Sequence, residues 1–198
     1  MQTKETMMSV KPFAITLDVG TSLANRTGSW RTLKPVYVDR LPPCNAKCPA
    51  GEQCQAWLFH AQSGNYENAW KQIIEDNPFP AVMGRVCYHT CQGACNRNGI
   101  DEPVGINAVE RFLGDYALEK GWQLPVPAAD TGKRILIVGA GPAGLSAAYQ
   151  LRRLGHAVHV VESAEAAGGM MRYGIPKYRL PREVLDLSLI HISEPTRH

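Results

Sequence analysis

Six cysteines carry the most reactive chemistry in this chain, and they fall into two clumps. Cys44, Cys48 and Cys54 follow the spacing C-x3-C-P and then C-x5-C, while Cys87, Cys91 and Cys95 follow C-x3-C-x3-C. In a reducing compartment such clumps indicate metal or redox chemistry rather than disulfides. Spacing alone leaves two metals open. Zinc takes thiolates at C-x2–4-C with further Cys or His. Iron–sulfur clusters gather thiolates from loops, often with a proline just after a ligand, as at Cys48-Pro49. His89, between two cysteines, reads as a bystander. Cys54 lies on the apolar stripe of a helix and reads as a small buried hydrophobe.

A second chemistry belongs to glycine. Gly139, Gly141 and Gly144 match G-x-G-x-x-G between an apolar strand at 135–138 and a helix opening near Pro142. Glu162 closes the next strand, roughly 20 residues downstream. Gly139 permits the tight turn, Gly141 lets backbone approach a pyrophosphate, and Gly144 allows close helix–strand packing. The helix N-terminus offers free N–H groups and a positive dipole end. Glu162 would accept hydrogen bonds from a ribose 2′-OH and repel a 2′-phosphate, which favours FAD or NAD over NADP. Downstream of Gly168-Gly169, a turn-rich stretch carries Arg172, Lys177, Arg179 and Arg182, which either reach the same phosphates or form a solvated loop.

The elements that position these residues follow from periodicity. Residues 52–62 and 66–76 read as an antiparallel helical hairpin, the second helix burying Ala69, Trp70, Ile73 and Ile74. Its open end brings the cysteine clumps together. LPPCNAKCPAG reads as a loop because of its prolines and glycine, and the second clump as another. Residues 104–120 form an amphipathic helix stopped by Gly121. The pattern then changes to strand, glycine turn, alanine-rich helix and strand, the opening of a parallel βαβ unit. The strand at 135–138 is apolar on both faces and so expects cover on each. The expected organisation is an arm at 1–40, a helical domain at 41–122, a linker at 123–132, a Rossmann-like unit at 133–186 and a tail at 187–198. The fold class is α followed by α/β.

Composition excludes several other classes. The 198 residues are 44% hydrophobic and 20% charged, so the chain is neither disordered nor low-complexity. A net charge of +3 is too small for a nucleic-acid footprint. No apolar run approaches the roughly 18–20 residues of a membrane span. The N-terminus lacks the apolar core of a signal peptide, giving a cytoplasmic expectation.

Five motifs in order, CNAKCPAG, GRVCYHTCQGACNR, VGINAVERF, GAGPAG and GGMMRYGIPKYRLP, resemble the small (β) subunit family of NADPH-dependent glutamate synthase and its relative, the N-terminal region of dihydropyrimidine dehydrogenase. The resemblance covers residues 35–186. It implies a helical, α-helical-ferredoxin-like domain with [4Fe-4S] clusters, then an FAD domain with an NADPH-binding domain inserted in it. Electrons would pass from NADPH to FAD and leave through a cluster to a partner subunit or ferredoxin-like acceptor. Carried over by position, Gly139, Ala140, Gly141, Pro142, Ala143 and Gly144 match the FAD pyrophosphate loop and Glu162 the ribose acid. Gly169, Met170 and Arg179 fall in further FAD-contacting motif positions. Cys44, Cys48, Cys87, Cys91 and Cys95 align with cluster cysteines, and Glu110 with a non-cysteine cluster ligand. No catalytic residue is assigned.

Two departures qualify the resemblance. VYVDRLPP stands where larger relatives carry an additional C-x2-C pair, and the Cys87–Cys91 spacing is two residues shorter. Five aligned cysteines cannot supply two all-cysteine clusters, so one cluster is expected, or two with unusual ligands. After PREVLD the family pattern stops, and LSLIHISEPTRH reads as a non-native, adaptor-derived tail. The chain then corresponds to a C-terminally truncated piece, inactive alone. The alternative reading is a zinc-stabilised interaction module fused to a degenerate nucleotide domain.

Overall fold

The computed structural model describes residues 41–125 and 127–193, so the arm expected at 1–40 lies outside the described residues. Six helices come first: α1 (Pro43–Lys47), α2 (Cys54–Gln62), α3 (Tyr66–Ile73), α4 (Pro80–Val86), α5 (Thr90–Gly93) and α6 (Ile106–Lys120). Then follow β1 (Arg134–Val138), α7 (Pro142–Arg153), β2 (Ala157–Val161), α8 (Met170–Tyr173) and α9 (Arg182–Ser193).

The hairpin expected from periodicity is α2 and α3, turned at Ser63–Asn65. Two helices, α1 in the proline-rich segment and α5 within the second cysteine clump, replace expected loops, and α4 precedes that clump. α1 forms within the proline-rich segment because Pro43 occupies its first turn, where a missing N–H costs nothing. α4 likewise opens on Pro80, and Pro80, Ala81, Val82 and Gly84 are all buried. A helix buried around its circumference shows no polar face, which is why periodicity does not reveal it.

α4 and α6 lie unusually close. A Cβ at Gly114 would sit 2.2 Å from the Ala81 nitrogen, and one at Gly84 would sit 2.5 Å from the Arg111 Cα. Arg85 then clamps the pair, donating from Nη1 and Nη2 to the two Asp115 carboxylate oxygens at 2.7 and 2.9 Å.

Three apolar clusters fill the interior. Trp57, Ala69, Ile73, Ile106 and Leu113 pack with Cys54 and Cys91 inside the helical part. Phe79 and Val82 of α4 pack with Ala140, Leu145, Met171, Leu180 and Leu185, joining the helical part to the Rossmann-like part. Trp70, Ile74 and Ala117 meet Tyr149 of α7. The stretch 123–132 is strapped down rather than free: the Ala128 and Thr131 amides donate to the Arg153 and Gly155 carbonyls, each at 3.0 Å.

β1 and β2 pair in parallel, Arg134 opposite Ala157 through Val138 opposite Val161. β1 is apolar on both faces but covered on one, leaving the exposed apolar surface that two strands alone leave. Ile135 and Ile137 are half-buried, whereas Leu136 and Val138 are 62% and 82% exposed. The two-stranded sheet offers nothing to cover the second face. α9 also runs through the expected boundary at 186/187, with Leu185 and Ser188 buried and Leu189 packed against the shared core.

The glycine contact yields a direct test. Gly114→Ala gains about 0.5–1 kcal/mol of helix propensity, but its methyl collides with backbone that cannot rotate away. Overpacking of this kind costs about 1–3 kcal/mol or more, so thermal or urea denaturation of the variant should show net destabilisation.

A thiol-lined cavity beside a dinucleotide loop

The structure sorts the cysteines into two places. Cys48, Cys54, Cys87 and Cys91 line one cavity of about 480 Å³, together with Glu52 and Glu110. Cys44 and Cys95 line another, of about 880 Å³, on the side of Pro42, Gln53, His60 and Arg97. All six are free thiols. The aligned set of five is therefore divided, and Cys54, read as core alone, joins the first cavity.

Each thiol is delivered by an identifiable backbone device. Cys48 ends α1, whose neighbour Asn45 donates from Nδ2 to Gln53 Oε1 at 2.9 Å and accepts the Gln55 amide at 3.2 Å. Cys54 opens α2. Cys87 ends α4, and Cys91 sits in α5, whose Thr90 hydroxyl donates to the Lys47 carbonyl at 2.9 Å and so ties the clumps together. Between them His89 takes a left-handed backbone, φ 57°, which aims its amide at Cys87 Sγ at 3.4 Å.

The cavity is electrically unusual. The Cys54 thiol donates toward Cys48 and Cys91, holding Cys48 down to about 6 and Cys91 down to about 7. That donation, with burial, keeps Cys54 protonated, and burial raises Cys87. Burial pushes Glu52 up to about 7 and, with the charge of Glu52, Glu110 up to about 9. Buried Asn77 bridges them: its Nδ2 donates to Glu52 Oε1 and to Glu110 Oε1, both at 2.9 Å, while its Oδ1 accepts the Phe79 amide at 3.0 Å. Among the described residues, none of the leading influences on these six groups is a positive charge. Thiolates and carboxyls gathered in a low-dielectric pocket without a cation are costly unless a metal centre supplies the positive charge. The donor set fits an iron–sulfur cluster, which thiolates hold.

The glycine loop is built as the motif requires. Gly139 has φ 99°, a conformation that side chains rarely tolerate. A Cβ at Gly144 would come within 2.0 Å of the Gly139 carbonyl oxygen, so only glycine lets α7 start this close to β1. The Gly139 amide donates to the Val161 carbonyl at 2.7 Å, and the Ala140 amide to Glu162 Oε2 at 2.7 Å. By helix geometry the amides of the first turn of α7, after Pro142, have no carbonyl one turn back and face the loop. Gly169 backs onto the loop, where a Cβ would meet Gly141 Cα at 2.8 Å, and the Gly168 amide donates to the Ala140 carbonyl at 2.8 Å. Met170 is exposed.

The basic stretch divides. Arg172 pairs with Asp186 and donates to the Ala167 carbonyl, and Arg182 donates to the Met171, Leu180 and Ile175 carbonyls. These two arginines close the loop rather than reach for phosphate. Arg179 donates to the Val86 carbonyl at 3.4 Å, beside Cys87.

The two sites adjoin. Pro142, Ala143 and Ser146 of the first turns of α7 wall the thiol cavity. Residues 38–122 match the family model for dihydropyrimidine dehydrogenase domain II, 4Fe-4S cluster, and residues 137–196 match the model for the NAD(P)-binding Rossmann-like domain. The chain is 39% identical over 140 residues to the glutamate synthase [NADPH] small chain of Bacillus subtilis, covering 70% of this chain and 28% of that one. It is 36% identical over 154 residues to the NAD-dependent dihydropyrimidine dehydrogenase subunit PreT of Escherichia coli, covering 77% and 37%. This chain is a homologue of these oxidoreductase subunits. It also matches the NADP(+)-dependent formate dehydrogenase subunit beta of Moorella thermoacetica, at 38% over 166 residues, 72% of this chain and 23% of the relative. The chain thus spans well under half the length of these relatives. Among the described residues no helix is long and apolar enough to cross a membrane.

Glu162 gives the loop a pH signature. Hydrogen bonds from the Ala164 and Ala140 amides hold its carboxyl below the usual carboxylate range. A depressed folded-state value means the tie is complete above the ordinary range and is lost as pH falls through the depressed one. The protection of the Ala140 amide, taken relative to its intrinsic exchange rate at each pH, should therefore be lost only on strong acidification, and Glu162→Gln should remove that pH dependence.

Proposed function

We propose that the chain is the iron–sulfur and flavin-entry portion of an NAD(P)H oxidoreductase that passes electrons through FAD and a [4Fe-4S] cluster to a partner subunit or ferredoxin-like acceptor. The supporting observation is the shared wall: one helix, α7, presents its first turn to the dinucleotide loop and to the thiol cavity. When bound, the flavin takes a hydride's two electrons and the cluster carries them on singly. The chain's own part is positional. Cys48, Cys87 and Cys91 hold the cluster, and the His89 amide donates to a ligand sulfur, a contact that sets potential. The amides of Gly141, Ala143 and Gly144, not spent on the strand ladder or on Glu162, hold the pyrophosphate, and Glu162 accepts a ribose hydroxyl.

The relatives' names include NADH-, NAD- and NADPH-linked enzymes, so the donor is taken as a reduced nicotinamide without choosing between them. Zinc is the weaker alternative. A single ion wants its donors about 2.0–2.3 Å from one point, and among the described residues no three His, Cys, Asp or Glu are placed to hold one.

Anaerobic reconstitution of the 198-residue chain should yield about four irons and four sulfides per cluster with a brown chromophore. Cys87→Ala or Cys48→Ala should abolish most of it; stoichiometric zinc with no sulfide would refute the reading. Glu162→Ala should weaken FAD binding, read as a raised Kd in flavin titration, through loss of one charge-assisted hydrogen bond.

A further inference from the structure

We propose that Cys54 completes the cluster, so that Cys48, Cys54, Cys87 and Cys91 bind one [4Fe-4S] centre as an all-cysteine set, with Glu110 as a wall of the cavity rather than a ligand. The inference rests on the iron–sulfur reading above and changes its fourth ligand.

Three observations carry it. Cys54 is 2% exposed, lines the same cavity as the other three thiols, and packs in one cluster with Cys91 and Cys48. It opens α2 directly after the segment that delivers Cys48, so one short piece of chain places two sulfurs on one side, facing Cys87 and Cys91. Glu110, by contrast, is already engaged. Its Oε1 accepts Asn77 Nδ2 at 2.9 Å, and the same amide nitrogen holds Glu52 at 2.9 Å. Oε1 of Glu110 is committed to this bridge, which also anchors the turn into α4 through the Phe79 amide, so Glu110 could reach iron only through Oε2. Cys44 and Cys95 line the other cavity and do not compete. Thiolate is also the softer donor and the usual partner of iron–sulfur cores. On binding, each of the four thiols loses its proton to solvent as its sulfur bonds iron.

The test uses the full chain, reconstituted anaerobically with ferric iron, sulfide and a thiol reductant, and reads iron content, paramagnetic resonance of the reduced cluster and its reduction potential. Cys54→Val fills the same apolar volume, so a cysteine that only packs would tolerate it; the expected result is loss of at least one iron per cluster. Cys54→Ser should keep iron while shifting the resonance and the potential, because oxygen replaces sulfur on one iron. Glu110→Ala should keep all four irons. Full iron and an unchanged signal in Cys54→Val, an unchanged signal and potential in Cys54→Ser, or iron loss confined to Glu110→Ala would each overturn the assignment. Failure of the unaltered chain to take up any iron and sulfide would overturn the iron–sulfur reading itself, a different outcome from loading that survives the loss of Cys54.

Discussion

The near-contact of α4 and α6 is the constraint on which the rest of the molecule depends. Two glycines, Gly84 and Gly114, remove the side chains that would hold the helices apart, and Arg85 on Asp115 fixes their rotation. With α4 pinned, its C-terminal residue Cys87 and the α5 turn behind it have one position relative to Glu110 on α6. Its other face, through Phe79 and Val82, becomes the floor on which Ala140, Leu145 and Leu185 pack. Bulk at either glycine would displace the thiols and the nucleotide loop together, since one short helix supports both.

Electrostatics and packing are joined at the same place. Burial alone would oppose gathering four thiols and two carboxyls in one cavity. The chain tolerates this by protonation and internal hydrogen bonding: the Cys54 thiol lies within reach of two sulfurs, Cys48 and Cys91, to which its one proton can be given, and Asn77 holds both carboxyls. The result is a chamber of mostly protonated donors with, among the described residues, no cation among its leading influences, facing a helix whose N-terminal end carries partial positive charge. A redox centre there would lie within reach of the dipole that also favours a pyrophosphate.

Much of this is legible in the sequence. The βαβ opening, the role of Gly139 and Gly144 and the α2–α3 hairpin follow from period and turn chemistry, because those elements each have one face in and one face out. α4 was hidden because PAVMGRV has no exposed face to create a period, and α1 because proline breaks helices except in a first turn. Cys54 looked like core and is core, but its helix also turns the thiol toward a cavity assembled from segments nearly forty residues away in sequence; spacing along one stretch of chain contains no such information. Asn77 is hidden for the same reason: an asparagine before a proline reads as a helix stop, and only the fold shows it bridging two acids. The arginines at 172 and 182 illustrate the opposite error. A run of positive charge near a phosphate loop invites a binding role, whereas local carbonyls claim both side chains.

The strap at 123–132 has a practical consequence. Its backbone is exposed around Asp130 and Thr131, yet it is tied at Arg153 and Gly155, and the halves on either side share two apolar clusters and a pair of side-chain bonds from Gln150 and Arg153 to the Glu75 carbonyl. A protease that nicked this stretch would find no hinge to release: the two pieces would migrate together under native conditions and part only in denaturant. The helical and nucleotide-binding segments are thus separate in sequence character without being interchangeable modules, and a graft of either onto a foreign counterpart would have to carry the matching surface of α4 with it.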